Sequence, residues 1–117
     1  MKTIFVFGSN LAGRHGKGAA LTARLEYGAA YGVGEGMTGN AYALPTKDFQ
    51  LRPRQLAAIA QSVDKFLACA RSHPHLTFFV TKVGCGLAGF TEEQIAPMFK
   101  EAPDNCLLPD DWRDKNA

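Results

Sequence analysis

Ile4-Phe5-Val6-Phe7-Gly8-Ser9-Asn10-Leu11-Ala12-Gly13-Arg14-His15-Gly16-Lys17-Gly18 is the stretch on which the fold turns. Its first four residues are β-branched or aromatic and apolar without alternation, which predicts a strand buried on both faces, as in a parallel sheet. The run stops at Gly8 and opens into a long glycine-rich loop. Beyond the loop, Ala19 to Tyr27 is rich in Ala, Leu and Arg and is followed by Gly28, the composition of a helix with a glycine at its end. Strand, glycine loop and helix in that order begin an α/β layer structure.

Working outward, four glycines between Ala30 and Asn40 (Gly32, Gly34, Gly36, Gly39) predict a cluster of turns, and Ala41 to Leu44 predicts a second short strand. Pro53 suits the first turn of a helix whose apolar stripe is Leu56, Ile59, Ala60, Val63, Phe66, Leu67 and Ala70. His73-Pro74-His75 ends that helix. Leu76 to Val83 then reads as a central strand emptying into a second glycine loop, Gly84-Cys85-Gly86-Leu87-Ala88-Gly89. Thr91 to Gln94 has capping-box spacing, Pro97 divides the following helix before Lys100, and Asn105 to Leu108 adds a last strand. The expected fold is α/β: a compact open sheet, mixed or parallel, with helices on both faces. Ligands in such sheets sit beyond the carboxyl ends of the strands, where both glycine loops fall. The charged tail 110–117 frays unless Trp112 anchors it.

A chain of 117 residues, 46% of them hydrophobic, predicts a single domain over 1–117. Thirteen Lys plus Arg against 11 Asp plus Glu, without blocks of one sign, give too weak a field for duplex DNA or a membrane surface, so the expected partner is a small molecule. Cys69, Cys85 and Cys106 lack the paired spacing of structural zinc and suggest a reduced, cytoplasmic setting; no metal or cofactor is expected. The apolar run Ile4–Phe7 is too short for a signal-peptide core or a membrane span.

The first loop offers phosphate chemistry. Its glycines clear space for backbone N–H groups, and the helix after it presents a positive end. The spacing is neither GxGxxG nor a P-loop. Arg14, His15 and Lys17 are candidate cations, His15 is also a candidate general acid or base, and Asn10 is a candidate for a ribose hydroxyl or a water, or else a cap for its own turn. Cys85 has no partner His, Asp or Asn at a defensible spacing, which makes it a small residue in a tight loop rather than a nucleophile. Tyr31, Phe90 and Trp112 are candidate base-stacking residues, Phe90 foremost because it follows the second loop.

Val83-Gly84-Cys85-Gly86-Leu87 resembles the GCGL loop of the macrodomain family, in the branch that removes terminal ADP-ribose from protein carboxylates. Arg14-His15-Gly16-Lys17-Gly18-Ala19-Ala20 is similar to that branch's RxGxGxA loop, and Thr46-Lys47 falls where the branch has a Thr-Lys pair with a catalytic lysine. The resemblance, over about Ile4 to Lys100, implies a trimmed three-layer macrodomain-like fold and ADP-ribose, free or carried on protein or nucleic acid, as partner. It implies ligand contacts from Gly8, Ser9, Asn10, Arg14, Gly16, Lys17 and Gly18 on one side. On the other it implies contacts from Gly84 through Phe90: Gly84, Cys85, Gly86, Leu87, Ala88, Gly89 and Phe90. The resemblance makes Lys47 the catalytic group; Asn10 and His15 are catalytic candidates from the residues themselves. Ala88 stands where the branch has an acid/base aspartate, so hydrolysis would need another group such as Asp48 or His15. Two further readings stand beside hydrolysis of an ADP-ribosyl linkage: a module that senses or sequesters a nucleotide without turnover, and a structural domain whose glycines only make turns.

Overall fold

The computed structural model describes residues 2–115. Five strands, β1 (Thr3–Asn10), β2 (Gly36–Thr38), β3 (Ala41–Lys47), β4 (Thr77–Val80) and β5 (Cys106–Leu107), form one sheet in the order β2-β3-β1-β4-β5. β1 runs parallel to β3 and β4, β4 parallel to β5, and β2 antiparallel to β3, so the sheet is mixed. Helices α1 (Gly18–Glu26), α2 (Leu56–Ser72), α3 (Glu92–Ile95) and α4 (Trp112–Lys115) accompany it, with a 3-10 turn over Ala96–Phe99. None of these helices is long and apolar enough to cross a membrane.

Alternation along the strands divides the core. Ile4 and Val6 of β1, with Tyr42, Leu44, Phe78 and Val80, face α2, whose Ile59, Val63, Phe66, Leu67 and Ala70 are all buried. Phe66 sits at the centre, its ring within 5.0 Å of Tyr42 and 5.5 Å of Phe78. On the opposite face Phe5 and Phe7, with Ala41 and Ala43, have α1 as their one helix among the described residues, through Ala20 and Ala23, and pack also on Tyr27, Ala29 and the His15 ring. Two alanines allow α1 to lie close, but they cover a narrow strip of sheet. Phe79 of β4 and Leu107 of β5 belong to that same face, and both are about half exposed.

Four boundaries differ from the sequence expectation, each for a visible reason. Pro53 does not start α2. It pairs with Lys47 in an isolated bridge while Arg54 N–H donates to the Thr46 carbonyl, which keeps 52–54 extended alongside β3 until Gln55 caps the helix. The strand expected over Leu76 to Val83 is paired only over Thr77–Val80: the Thr81 N–H still donates to the Val6 carbonyl of β1, and the chain then turns, with the Val83 N–H on the Thr81 carbonyl. β2 lies inside the stretch expected to be turns, joined to β3 by the two-residue connection Gly39-Asn40, with Gly39 at φ 55°. The final strand contracts to Cys106–Leu107; the Asn105 carbonyl before it still accepts the Phe78 N–H, while its side-chain amide lies within hydrogen-bonding distance of the Ala70, His73 and Leu76 carbonyls and ties the end of α2 to the sheet. Trp112 is fully buried and begins α4, so the chain is anchored at 112; residues 116 and 117 of the expected frayed tail lie outside the described part.

Candidate functional site

A cleft of about 720 Å³ opens beyond the carboxyl ends of β1, β3 and β4. The loop after β1 forms one wall and is held from behind. Asn10 fixes its shape: the side-chain amide donates to the Arg14 carbonyl at 2.9 Å, and its oxygen accepts from the Arg14 N–H at 3.0 Å. Gly13 and Gly34 fix its position. A Cβ on Gly13 would collide with the Gly32 carbonyl carbon and one on Gly34 with the Asn10 carbonyl oxygen, so the loop and the 32–34 segment interlock backbone to backbone. The Ser9 hydroxyl donates to the Gly34 carbonyl, and the Gly32 N–H donates to Gly13. Residues 30–40 are therefore a brace behind the loop, not a flap over the cleft.

With its rear pinned, the loop turns Arg14, Gly16 and Lys17 to the cleft, where α1 begins. No side chain caps α1, and the first turn, Gly18 to Ala20, is part of the cleft wall. Backbone donors at that end have no intrahelical acceptor and carry the positive end of the helix dipole. From β3 come Thr46 and Lys47; Lys47 is in register with Asn10, and its carbonyl accepts the Leu11 N–H at 3.0 Å, which fastens the two strand ends together. β4 leads through Thr81 and Lys82 into Gly84, Gly86, Leu87 and Ala88. Gly8 lets the loops meet, since a Cβ there would stand 3.3 Å from the Gly84 nitrogen.

Four cations, Arg14, Lys17, Lys47 and Lys82, share this cleft, and among the described residues no carboxylate lines it. Lys82 is partly neutralised by Glu92 at 3.3 Å. Asp48, next to Lys47, is occupied elsewhere: Oδ1 accepts from the Arg52 and Gln50 N–H groups, and the Arg52 N–H is the first cause holding its carboxyl below the usual range. Among the described residues no group of three or more His, Cys, Asp or Glu is arranged to hold a metal ion.

The residues expected from the sequence divide. Gly8, Ser9, Asn10, Arg14, Gly16, Lys17, Gly18, Lys47, Gly84, Gly86, Leu87 and Ala88 share the cleft. His15 points the other way, fully buried with its ring edge-on to Phe7 at 5.2 Å and near Tyr31 at 6.1 Å. Neither ring nitrogen completes a hydrogen bond of sound geometry; burial is the first cause that lowers its pKa, the Val33 backbone pulls it partly back, and the positive charge of Arg24 adds a smaller lowering. Cys85 packs toward the core with its thiol raised by burial, donating weakly to the Val83 carbonyl at 3.6 Å. Phe90 also packs on the core, Gly89 makes the turn at φ 83°, and Trp112 is buried. Of the three candidate stacking rings only Tyr31 reaches the cleft, 60% exposed, with the Arg24 guanidinium 5.5 Å from its centroid. Leu51 and Lys82 are cleft residues that sequence reasoning missed. Lys82 had a signal, its place immediately before the second glycine loop. Leu51 had none, because leucine is not expected in the left-handed turn it occupies.

Two glycines stand apart. At Gly16 and at Gly86 an added Cβ would meet nothing within 4 Å, and neither has a positive φ. The fold does not require glycine at either position, yet both face the cleft. Compared with protein-family models, with curated proteins and with solved structures, the chain finds no match.

Proposed function

We propose that the cleft binds a phosphate-bearing nucleotide, with ADP-ribose the first candidate from the macrodomain resemblance of its loops. The observation that carries this reading is the freedom at Gly16 and Gly86: glycine at a site where the protein itself leaves room for a side chain is accounted for by close approach of something else. The four cations, the uncapped start of α1 and the lack of a lining carboxylate among the described residues make an anionic guest the electrostatically favoured one. Tyr31 offers a ring face for a base.

Binding without turnover is favoured over hydrolysis by the state of the acid/base candidates. Ala88 is apolar, Asp48 is committed to its own turn and His15 is buried away from the cleft. Lys47 retains a place in the cleft as a phosphate contact or as a nucleophile.

Calorimetric titration with ADP-ribose, with AMP and NAD as comparison, tests the reading. Micromolar or tighter affinity, about 8 kcal/mol or more, is expected for ADP-ribose. Gly16→Val and Gly86→Val should keep the thermal stability of the parent and lose at least about ten-fold in affinity, or about 1.4 kcal/mol. Lys47→Ala separates the two readings, since lysine-dependent product release would establish a hydrolase. Absence of heat and of any thermal shift with all three ligands would overturn nucleotide binding altogether.

A further inference from the structure

The turn that follows Lys47 carries backbone strain at a residue that lines the cleft. Leu51 sits at φ 63°, one of two non-glycine residues at positive φ among those described. Such a backbone is unfavourable for a residue with a Cβ and persists only where its surroundings impose it. Asp48 does the imposing. Its Oδ1 accepts from Gln50 N–H at 2.8 Å and Arg52 N–H at 3.0 Å, its own N–H donates to the Arg52 carbonyl at 2.8 Å, and its carbonyl accepts the Leu51 N–H at 3.1 Å. Arg52 Nε lies 3.6 Å from Asp48 Oδ2 and closes the turn.

Glycine or asparagine would make this turn at less cost, and a polar side chain would suit a water-filled cleft. The chain instead places leucine there, 39% exposed on the cleft wall four residues after Lys47. A second leucine, Leu87, stands on the same wall from the other glycine loop and is 71% exposed. Among its cations, glycines, small residues and Tyr31, the cleft thus presents two exposed leucines placed to contact something that enters it.

We propose that Leu51 and Leu87 are specificity-determining residues that select nucleotides bearing an uncharged planar ring on the diphosphate-linked ribose. The inference rests on nucleotide binding as proposed above. A neutral ring removes apolar leucine surface from water without adding positive charge beside Lys47 and Lys82, whereas a hydroxyl or a charged group there leaves both side chains wet.

The test compares ADP-ribose with diadenosine diphosphate, which differs in carrying adenine on the second ribose. Wild-type protein should bind diadenosine diphosphate about ten-fold more tightly, and Leu51→Gly and Leu87→Ser should each bring that ratio toward unity. Leu51→Gly relieves the positive φ, so its melting temperature at or above that of the parent verifies folding. A wild-type ratio near one, or a ratio unchanged in both variants, overturns the inference while ADP-ribose binding leaves the nucleotide reading intact. Failure of the wild type to bind either ligand removes both.

Discussion

Gly13 and Gly16 lie three residues apart and differ in what surrounds them: the first is excluded from bearing a side chain by the Gly32 backbone, whereas a Cβ on the second would meet nothing within 4 Å. His15, between them, belongs to the first kind, a buried ring that supports the loop from beneath. Because burial lowers its pKa, the unfolded chain binds a proton more readily than the native one as pH falls through the ordinary histidine value. The stabilising contribution of neutral His15 is thus complete above about pH 6.5 and declines below it, by at most about 1.4 kcal/mol per pH unit. Melting temperatures from pH 7.5 to 5 should fall more steeply for wild-type protein than for His15→Phe; parallel profiles would show that His15 does not titrate on unfolding. Residue roles were the least legible level in the sequence. Lys47 and Asn10 meet only because β1 and β3 pair in that register, and the side-chain amide of Asn10 is spent on Arg14, which local sequence allowed but did not require.

Elements were legible where one physical signal dominated. The apolar stripe of α2, the unbroken run of β1 and the reciprocal Thr91–Gln94 cap all formed where their patterns point. Local turns and tertiary contacts decided the remainder: the chain turns after Thr81, with the Val83 N–H on its carbonyl, and Pro53 joins the edge of Lys47. The short hairpin at Gly39-Asn40 had its signal in that dipeptide, masked by the glycines around it. The second glycine loop depends on elements distant in sequence. Trp112 Nε1 donates to Glu92 Oε1 at 2.9 Å, Glu92 Oε2 pairs with Lys82 at 3.3 Å, and the indole packs 5.3 Å from Phe99, so α4 braces the entry to α3 and the exit of β4. Trp112→Ala should cost about 3–5 kcal/mol in urea unfolding, as large buried truncations do. Trp112→Phe keeps most of the ring and gives up a hydrogen bond to a carboxylate, so about 1.5 kcal/mol is expected. Equal losses in the two variants would mean that packing is not what the indole contributes.

At the scale of the whole molecule the two faces of the sheet are unequal. One is sealed by α2, α3 and α4; the other has α1 alone and leaves Phe79 and Leu107 half exposed. Substitution should therefore be lopsided. Phe66→Ala is expected to cost about 3–5 kcal/mol, whereas Phe79→Thr should cost about 1 kcal/mol and reduce self-association at high concentration. A comparable loss at both positions would show that the second face is covered in solution. The α/β class was legible in the order of runs and glycine loops, but this inequality was not, because it follows from the small size of α1's alanines. The order β2-β3-β1-β4-β5 also places the earliest strand in the middle. Its partners lie at residues 41–47 and 77–80, so a chain emerging from the ribosome carries Ile4–Phe7 without a sheet on either side until both have been made. Of the described strands β1 therefore waits longest for its partners during synthesis, and until β4 follows, its apolar run is open to misplaced contacts.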